Sequence, residues 1–155
     1  MIIFSLQTPV SVNQKGRIGA HGYFCSKKYR DWFETSLYQL KELELPSFGD
    51  ARIGISITTH FQDDRRRDLD NILKGLFDVC TKAGLWNDDS QIDNLHVVRG
   101  EVRKWDLYRI QGQLAEIVKG TETKDLKKMI RAKQAIKIDS YGKVEVRVWE
   151  IGSED

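Results

Sequence analysis

Between residues 53 and 83 the apolar residues change their spacing from two to about 3.6. Ile53, Ile55 and Ile57 alternate with small or polar residues, and Phe61 closes the run. Such alternation puts every second side chain on one face of a strand. Leu69, Ile72, Leu73, Leu76, Phe77, Cys80 and Ala83 then follow at the spacing of one helix face. Gly84 stands where a helix ends in a left-handed residue. A strand feeding directly into an amphipathic helix requires a sheet with that helix packed on it.

The remaining segments extend this pattern. MIIFSLQTPV reads as a first strand ending near Pro9, and residues 11–26 read as a Gly-rich polar loop. From 27 to 45 the residues Tyr29, Trp32, Phe33, Leu37 and Leu40 recur at helical spacing, with Ser26 as N-cap and Pro46 beyond the end. DNLHVVRGEVR and KVEVRVWEI (143–151) read as strands, a basic helix is expected from near Thr123, and the tail GSED is expected to fray. The order β-α-β-α-β with a late strand predicts an α+β (mixed α/β) fold: a small mixed sheet with helices packed on it. At 155 residues the chain suits a single domain.

No apolar run approaches the roughly 18 residues that a membrane span needs. The short apolar N-terminus lacks a basic flank and is read as a strand rather than a signal peptide. Two cysteines without a CxxC spacing suit reduced thiols in a cytoplasmic protein, and three scattered histidines argue against zinc. Net charge is only +2, but its distribution is uneven. Residues 15–30 hold five Lys or Arg and no acid, and residues 99–147 hold thirteen against seven Asp or Glu. Acids concentrate around 62–94. Basic flanks around an acidic centre suit an anionic polymer held beside a metal; a mixed solvated surface is the plain reading.

That acidic centre is FQDDRRRDLDNILKGLFD, residues 61–78. Asp68 and Asp70 stand two apart at the helix entrance, where the chain is still turning and both carboxylates can converge on one cation. Mg²⁺ takes oxygen ligands and keeps waters and phosphate oxygens. Lys74 follows Asp70 by one turn and can stabilise developing charge; Asn71 can donate to phosphate or orient a carboxylate. The plain reading makes Asp68 or Asp70 a helix cap, and Asp70–Lys74 an exposed i,i+4 pair. Asp88 and Asp89, in WNDDSQ past the same helix, offer a further acid or simply turn chemistry.

RRDLDNILKGLFDVCTKAGLWNDDSQI resembles the core signature of the RusA-like Holliday junction resolvases, the crossover junction endodeoxyribonucleases. The D-L-D-N, Lys74, Ala83-Gly84 with Trp86, and D-D-S-Q elements occur in order, over about residues 65–103. Weaker likenesses lie at Pro9, Asn13, Tyr29, Arg30 and the closing strand. The resemblance implies a RusA-like fold and Mg²⁺-dependent hydrolysis of four-way DNA junctions, with Mn²⁺ as a substitute ion. It implies a homodimer serving recombination and repair in a bacterial cell or phage-infected host. It assigns Asp68, Asp70 and Asp89 as metal-binding and catalytic carboxylates and Lys74 as the essential lysine. Asn71 matches the signature's asparagine, and Asp88 the less essential acid. The departure is the basic insertion around 104–138.

Distance adds one expectation. A helix from Asp70 to Gly84 is about 20 Å long, while Gly84 to Asp89 spans at most about 16–18 Å. Asp89 therefore does not return easily to Asp68 and Asp70 of its own chain and is expected to complete a partner subunit's site, unless the helix breaks near Gly75. Arg65, Arg66 and Arg67 are expected to hold phosphates or to neutralise Asp63, Asp64 and Asp68. Lys15 and Arg17 are candidates for a DNA-binding arm, and Lys127, Lys128 and Arg131 for a basic DNA-contacting helix. Trp86 suits a core or interface position, or stacking at an opened junction. Two alternatives remain at this point: a non-catalytic DNA-binding protein, and a nuclease for flaps or forks.

Overall fold

The computed structural model describes residues 1–101 and 142–152. Six strands and two α-helices make up the described chain: β1 (Ile2–Gln7), β2 (Gly16–Gly19), β3 (Gly22–Cys25), α1 (Lys27–Glu42), β4 (Ile53–His60), α2 (Leu73–Ala83), β5 (Ile92–Arg99) and β6 (Lys143–Glu150). Four strands form a mixed sheet in the order β1-β6-β4-β5. The late strand β6 enters its middle, antiparallel to β1 and β4, while β5 runs parallel to β4 along the edge. The parallel β4–β5 pair is joined by α2, as parallel neighbours require a crossover. This is the α+β arrangement the apolar periodicity predicts.

One face of the sheet carries the core. Ile53, Ile55 and Ile57 of β4 and Val144, Val146 and Val148 of β6 are buried there, beside Phe4 and Leu6 of β1. Leu76, Val79 and Cys80 of α2 and Trp32 and Leu40 of α1 complete the same cluster. The two helices touch each other where Gly75 faces the Tyr29 and Trp32 rings. Ser26 caps α1 by accepting from the Tyr29 backbone N–H at 3.2 Å. Gly84 ends α2 at φ 85°, a conformation that costs glycine nothing.

Two expectations are corrected. Residues 11–26 are not a plain loop: a 3-10 turn (Val12–Gln14) is followed by the β2–β3 hairpin. The alternation of glycine with larger residues in this segment hides a strand pair whose two faces are both exposed. Neither Asp68 nor Asp70 caps the second helix. The chain enters α2 through a 3-10 turn (Asp70–Ile72), and Leu69 and Ile72 already have helical backbone angles with no side-chain cap. A capping side chain needs an extended residue at the boundary, which this entrance lacks.

Gly54 pairs with Trp149 across β4 and β6, at a bulge in the β4–β5 register. A Cβ at Gly54 would lie 2.3 Å from Trp149 Cε2. Gly54→Val is therefore expected to lower stability by about 1–3 kcal/mol through overpacking. Urea unfolding checks this; an unchanged midpoint would show that the indole moves aside freely.

Candidate active site

α2 carries polar residues at both ends and along its outer side, because its apolar stripe is locked against the sheet. The helix runs unbroken through Gly75, and Asp68 and Asp89 line different clefts. Asp68, Asn71, Arg66, Arg67, Lys28 and Asp31 line one of about 620 Å³, near the entrance of α2. Lys74, Asp78, Thr81, Lys82, Asp88 and Asp89 line the other.

At the entrance, Asp68 and Asp70 are exposed, and the nearest polar contact of Asp68 is a long one, Asn71 Nδ2 to Asp68 Oδ2 at 3.5 Å. The arginines before them divide. Arg67 makes a two-pronged pair with Asp63 and lies over the Phe61 ring. Arg65 sits 3.6 Å from the same carboxylate. Arg67 holds Asp63 well below the usual carboxylate range, with smaller contributions from Arg65. Arg66 turns into the first cleft.

Beyond the helix end, Asp89 is tightly oriented. Its Oδ1 accepts from Thr81 Oγ1 at 2.9 Å and from Trp86 Nε1 at 3.3 Å, and its Oδ2 faces Lys74 Nζ at 3.2 Å. Trp86 is thus a core tryptophan whose indole N–H still reaches the site. Asp88 is used differently. It caps the turn Asp89–Gln91 by accepting from Ser90, and Ser90's hydrogen bonds lower its pKa. Gln91, almost fully buried, accepts from the Asn87 and Asp88 backbone N–H groups and donates to the Gly49 and Ala51 carbonyls. One side chain thereby pins the acidic loop to the segment that leads into β4.

Lys74 does not pair with Asp70. It reaches forward to Asp78 Oδ1 at 2.7 Å and to Asp89. The bond from Asp78 first, then that from Asp89, raises its pKa above the ordinary 10.5. Asp78 Oδ2 also receives Lys15 at 3.3 Å, and Lys15 lies over the Tyr29 ring. Arg17 stands in the hairpin. Lys127, Lys128 and Arg131 lie outside the described residues, as does the 104–138 insertion. Asp78 and Thr81 escape a reading of motifs, because each acts through a partner distant in sequence or on an adjoining turn; Gln91 stands in the D-D-S-Q element, but its reach to Gly49 and Ala51 has no local signal. The placing of Asp78 at i+4 from Lys74 is the one signal that could have found it.

Among the described residues, no three acidic, histidine or cysteine side chains of one chain gather as a metal-holding group. Asp68 and Asp70 nonetheless suit a hard divalent cation: both are oxygen donors, exposed, and not engaged in capping. The remaining oriented carboxylate, Asp89, lies in the other cleft.

The family described as endodeoxyribonuclease RusA matches residues 7–114 of the chain. The crossover junction endodeoxyribonuclease rusA of Enterobacteria phage HK97 is 38% identical over 97 residues, covering 63% of this chain and 81% of that protein. The proteins of the same name from Escherichia coli K12 and Enterobacteria phage 82 are each 50% identical over 52 residues, covering 34% of this chain and 43% of theirs.

Two outcomes test this local architecture. Gln91→Leu leaves buried backbone groups without partners and is expected to cost about 1–3 kcal/mol in urea unfolding. Asp78→Asn is expected to bring the Lys74 midpoint back toward 10.5, read by NMR titration of its side-chain methylene. The sign follows from linkage. A raised lysine pKa contributes stability that is complete below the unfolded value and lost as pH rises through the folded one. The variant should lose that contribution earlier on the alkaline side; an unmoved midpoint would assign the whole effect to Asp89.

Proposed function

The chain belongs to the RusA family of endodeoxyribonucleases, and from that premise we propose that it resolves four-way DNA junctions as a Mg²⁺-dependent homodimer. Its place is recombination and repair, in the cytoplasm of a bacterial or phage-infected cell. The observation that carries the reading is the division of acids between two clefts. Asp68 lines the cleft at the entrance of α2, with Asp70 exposed two residues on, whereas Asp89, held by Thr81, Trp86 and Lys74, lines the other. In a two-fold dimer, Asp89 of one subunit completes the Asp68–Asp70 site of the other. Two related sites match the two-fold symmetry of a junction and the paired cuts that resolve it.

Within this site Asp68, Asp70 and Asp89 hold the divalent cation. When bound, it supplies Lewis-acid polarisation of the scissile phosphate and a nucleophilic hydroxide at neutral pH. Lys74, charged at any physiological pH, sits beside Asp89 and offsets negative charge that builds on the phosphate oxygens. Asp78 holds its ammonium in place. Asn71 stands next to Asp68, where its amide can donate to phosphate or steady the carboxylate. Arg66, open to the first cleft, is placed for bidentate contact with the backbone of the bound strand.

Asp70→Asn removes a ligand charge with little change of shape. It is expected to abolish nicking of a labelled four-way junction in Mg²⁺ while leaving junction binding intact; full nicking would refute the site. Cutting of flaps in place of junctions would move the substrate and leave the chemistry standing. Sharing between subunits has its own test. Asp70→Asn and Asp89→Asn proteins, each inactive, are mixed under conditions of subunit exchange. If the sites are shared, heterodimers carry both defects in one site and none in the other, so about a quarter of wild-type nicking returns. No return would place all the ligands within one chain.

A further inference from the structure

The β2–β3 hairpin exposes more apolar surface than its size explains. Ile18 is 85% exposed, Tyr23 56% and Phe24 50%. Pairing sets Arg17 against Phe24 and Ile18 against Tyr23, so the two aromatic residues stand on opposite faces. Each ring is seated over a glycine of β2. A Cβ at Gly16 would lie 2.7 Å from the Tyr23 hydroxyl, and one at Gly19 would lie 3.0 Å from Phe24 Cε2. The rings are thus laid against the strand opposite, and each residue keeps half or more of its surface exposed.

Charge selects the occupant. Residues 15–30 carry five basic side chains and no acid; Lys15 and Lys27 are paired with Asp78 and Asp31, and the excess charge of Arg17, Lys28 and Arg30 favours a polyanion over an apolar protein surface. Position adds a second argument. Ser26 N–H donates to the Lys15 carbonyl at 2.8 Å at the root of the hairpin, and the Lys15 side chain is paired with Asp78, which also holds Lys74. The hairpin therefore projects from the rim of the candidate active site.

We propose that the β2–β3 hairpin is an aromatic blade that enters the branch point of DNA, with Tyr23 and Phe24 stacking on bases exposed there. The proposal rests on the junction reading above. Stacking on an aromatic face tolerates any base, so the blade recognises an opened branch rather than a sequence. Arg17 and the neighbouring lysines hold the flanking phosphates and contribute equally to junction and duplex binding.

The test places 2-aminopurine at the branch point of a four-way junction, or in the middle of one arm, and uses Asp70→Asn protein to prevent cleavage. The parent is expected to change fluorescence at the branch and not in the arm. Adding Tyr23→Ala and Phe24→Ala is expected to remove that change. It should also lower the preference for junction over linear duplex about tenfold or more, with duplex affinity retained. A Tyr23→Trp, Phe24→Trp pair should keep both signals. The hairpin proposal is overturned if the parent prefers the junction and the alanine pair matches it. It is equally overturned if the alanine pair instead changes the oligomeric state in size-exclusion chromatography, which would make the hairpin a contact between copies. A parent that binds none of these DNAs overturns the junction reading and the blade together.

Discussion

The burial of one stripe of α2 against the sheet governs everything around it. Leu76, Val79 and Cys80 are almost fully buried, and the close-packed interior leaves the helix no freedom to roll. Its outer side is therefore fixed as the side bearing Lys74, Asp78 and Thr81. Asp68 and Asp70 stand before its first turn, and the loop beyond its end folds back so that Asp89 meets Thr81 and the forward-reaching Lys74.

The acidic loop shows how a carboxylate is prepared for work. Asp88 is consumed by a local cap, whereas Asp89 is gripped on one oxygen by a hydroxyl and an indole N–H and faces Lys74 with the other. Orienting partners of this kind fix the direction in which a carboxylate is presented. Gln91 beneath them converts a turn into a rigid ledge through bonds to both sides of the loop. The buried Cys80 thiol nearby is pushed far above its ordinary pKa, first by burial and then by the charge of Asp89. It is packing, not chemistry.

The electrostatic line Lys15–Asp78–Lys74–Asp89 joins the hairpin root to the site. Both lysines share one carboxylate, so a move of either alters the hold on the other. The hairpin root and the Lys74–Asp89 pair are thus joined through a single side chain, Asp78.

Much of this is legible in the residues themselves. The change of period between β4 and α2, the Ser26 cap and the Gly84 stop are local signals, each carried by a few neighbouring side chains, and local sterics decide them. The acidic signature and its likeness to the RusA resolvases lie in the same short stretch, and the family match agrees with it. Other features have no local signal. The hairpin reads as a loop because its strands bury nothing, so no alternation marks an inner face. Asp68 and Asp70 do not cap because a 3-10 entrance, invisible in composition, replaces the expected boundary. Above all, the insertion of β6 between β1 and β4, and the meeting of Lys15 with Asp78 and of Gln91 with Gly49 and Ala51, join residues far apart along the chain. Periodicity determines which elements form; only their mutual burial, which is nonlocal, decides which polar groups they bring together.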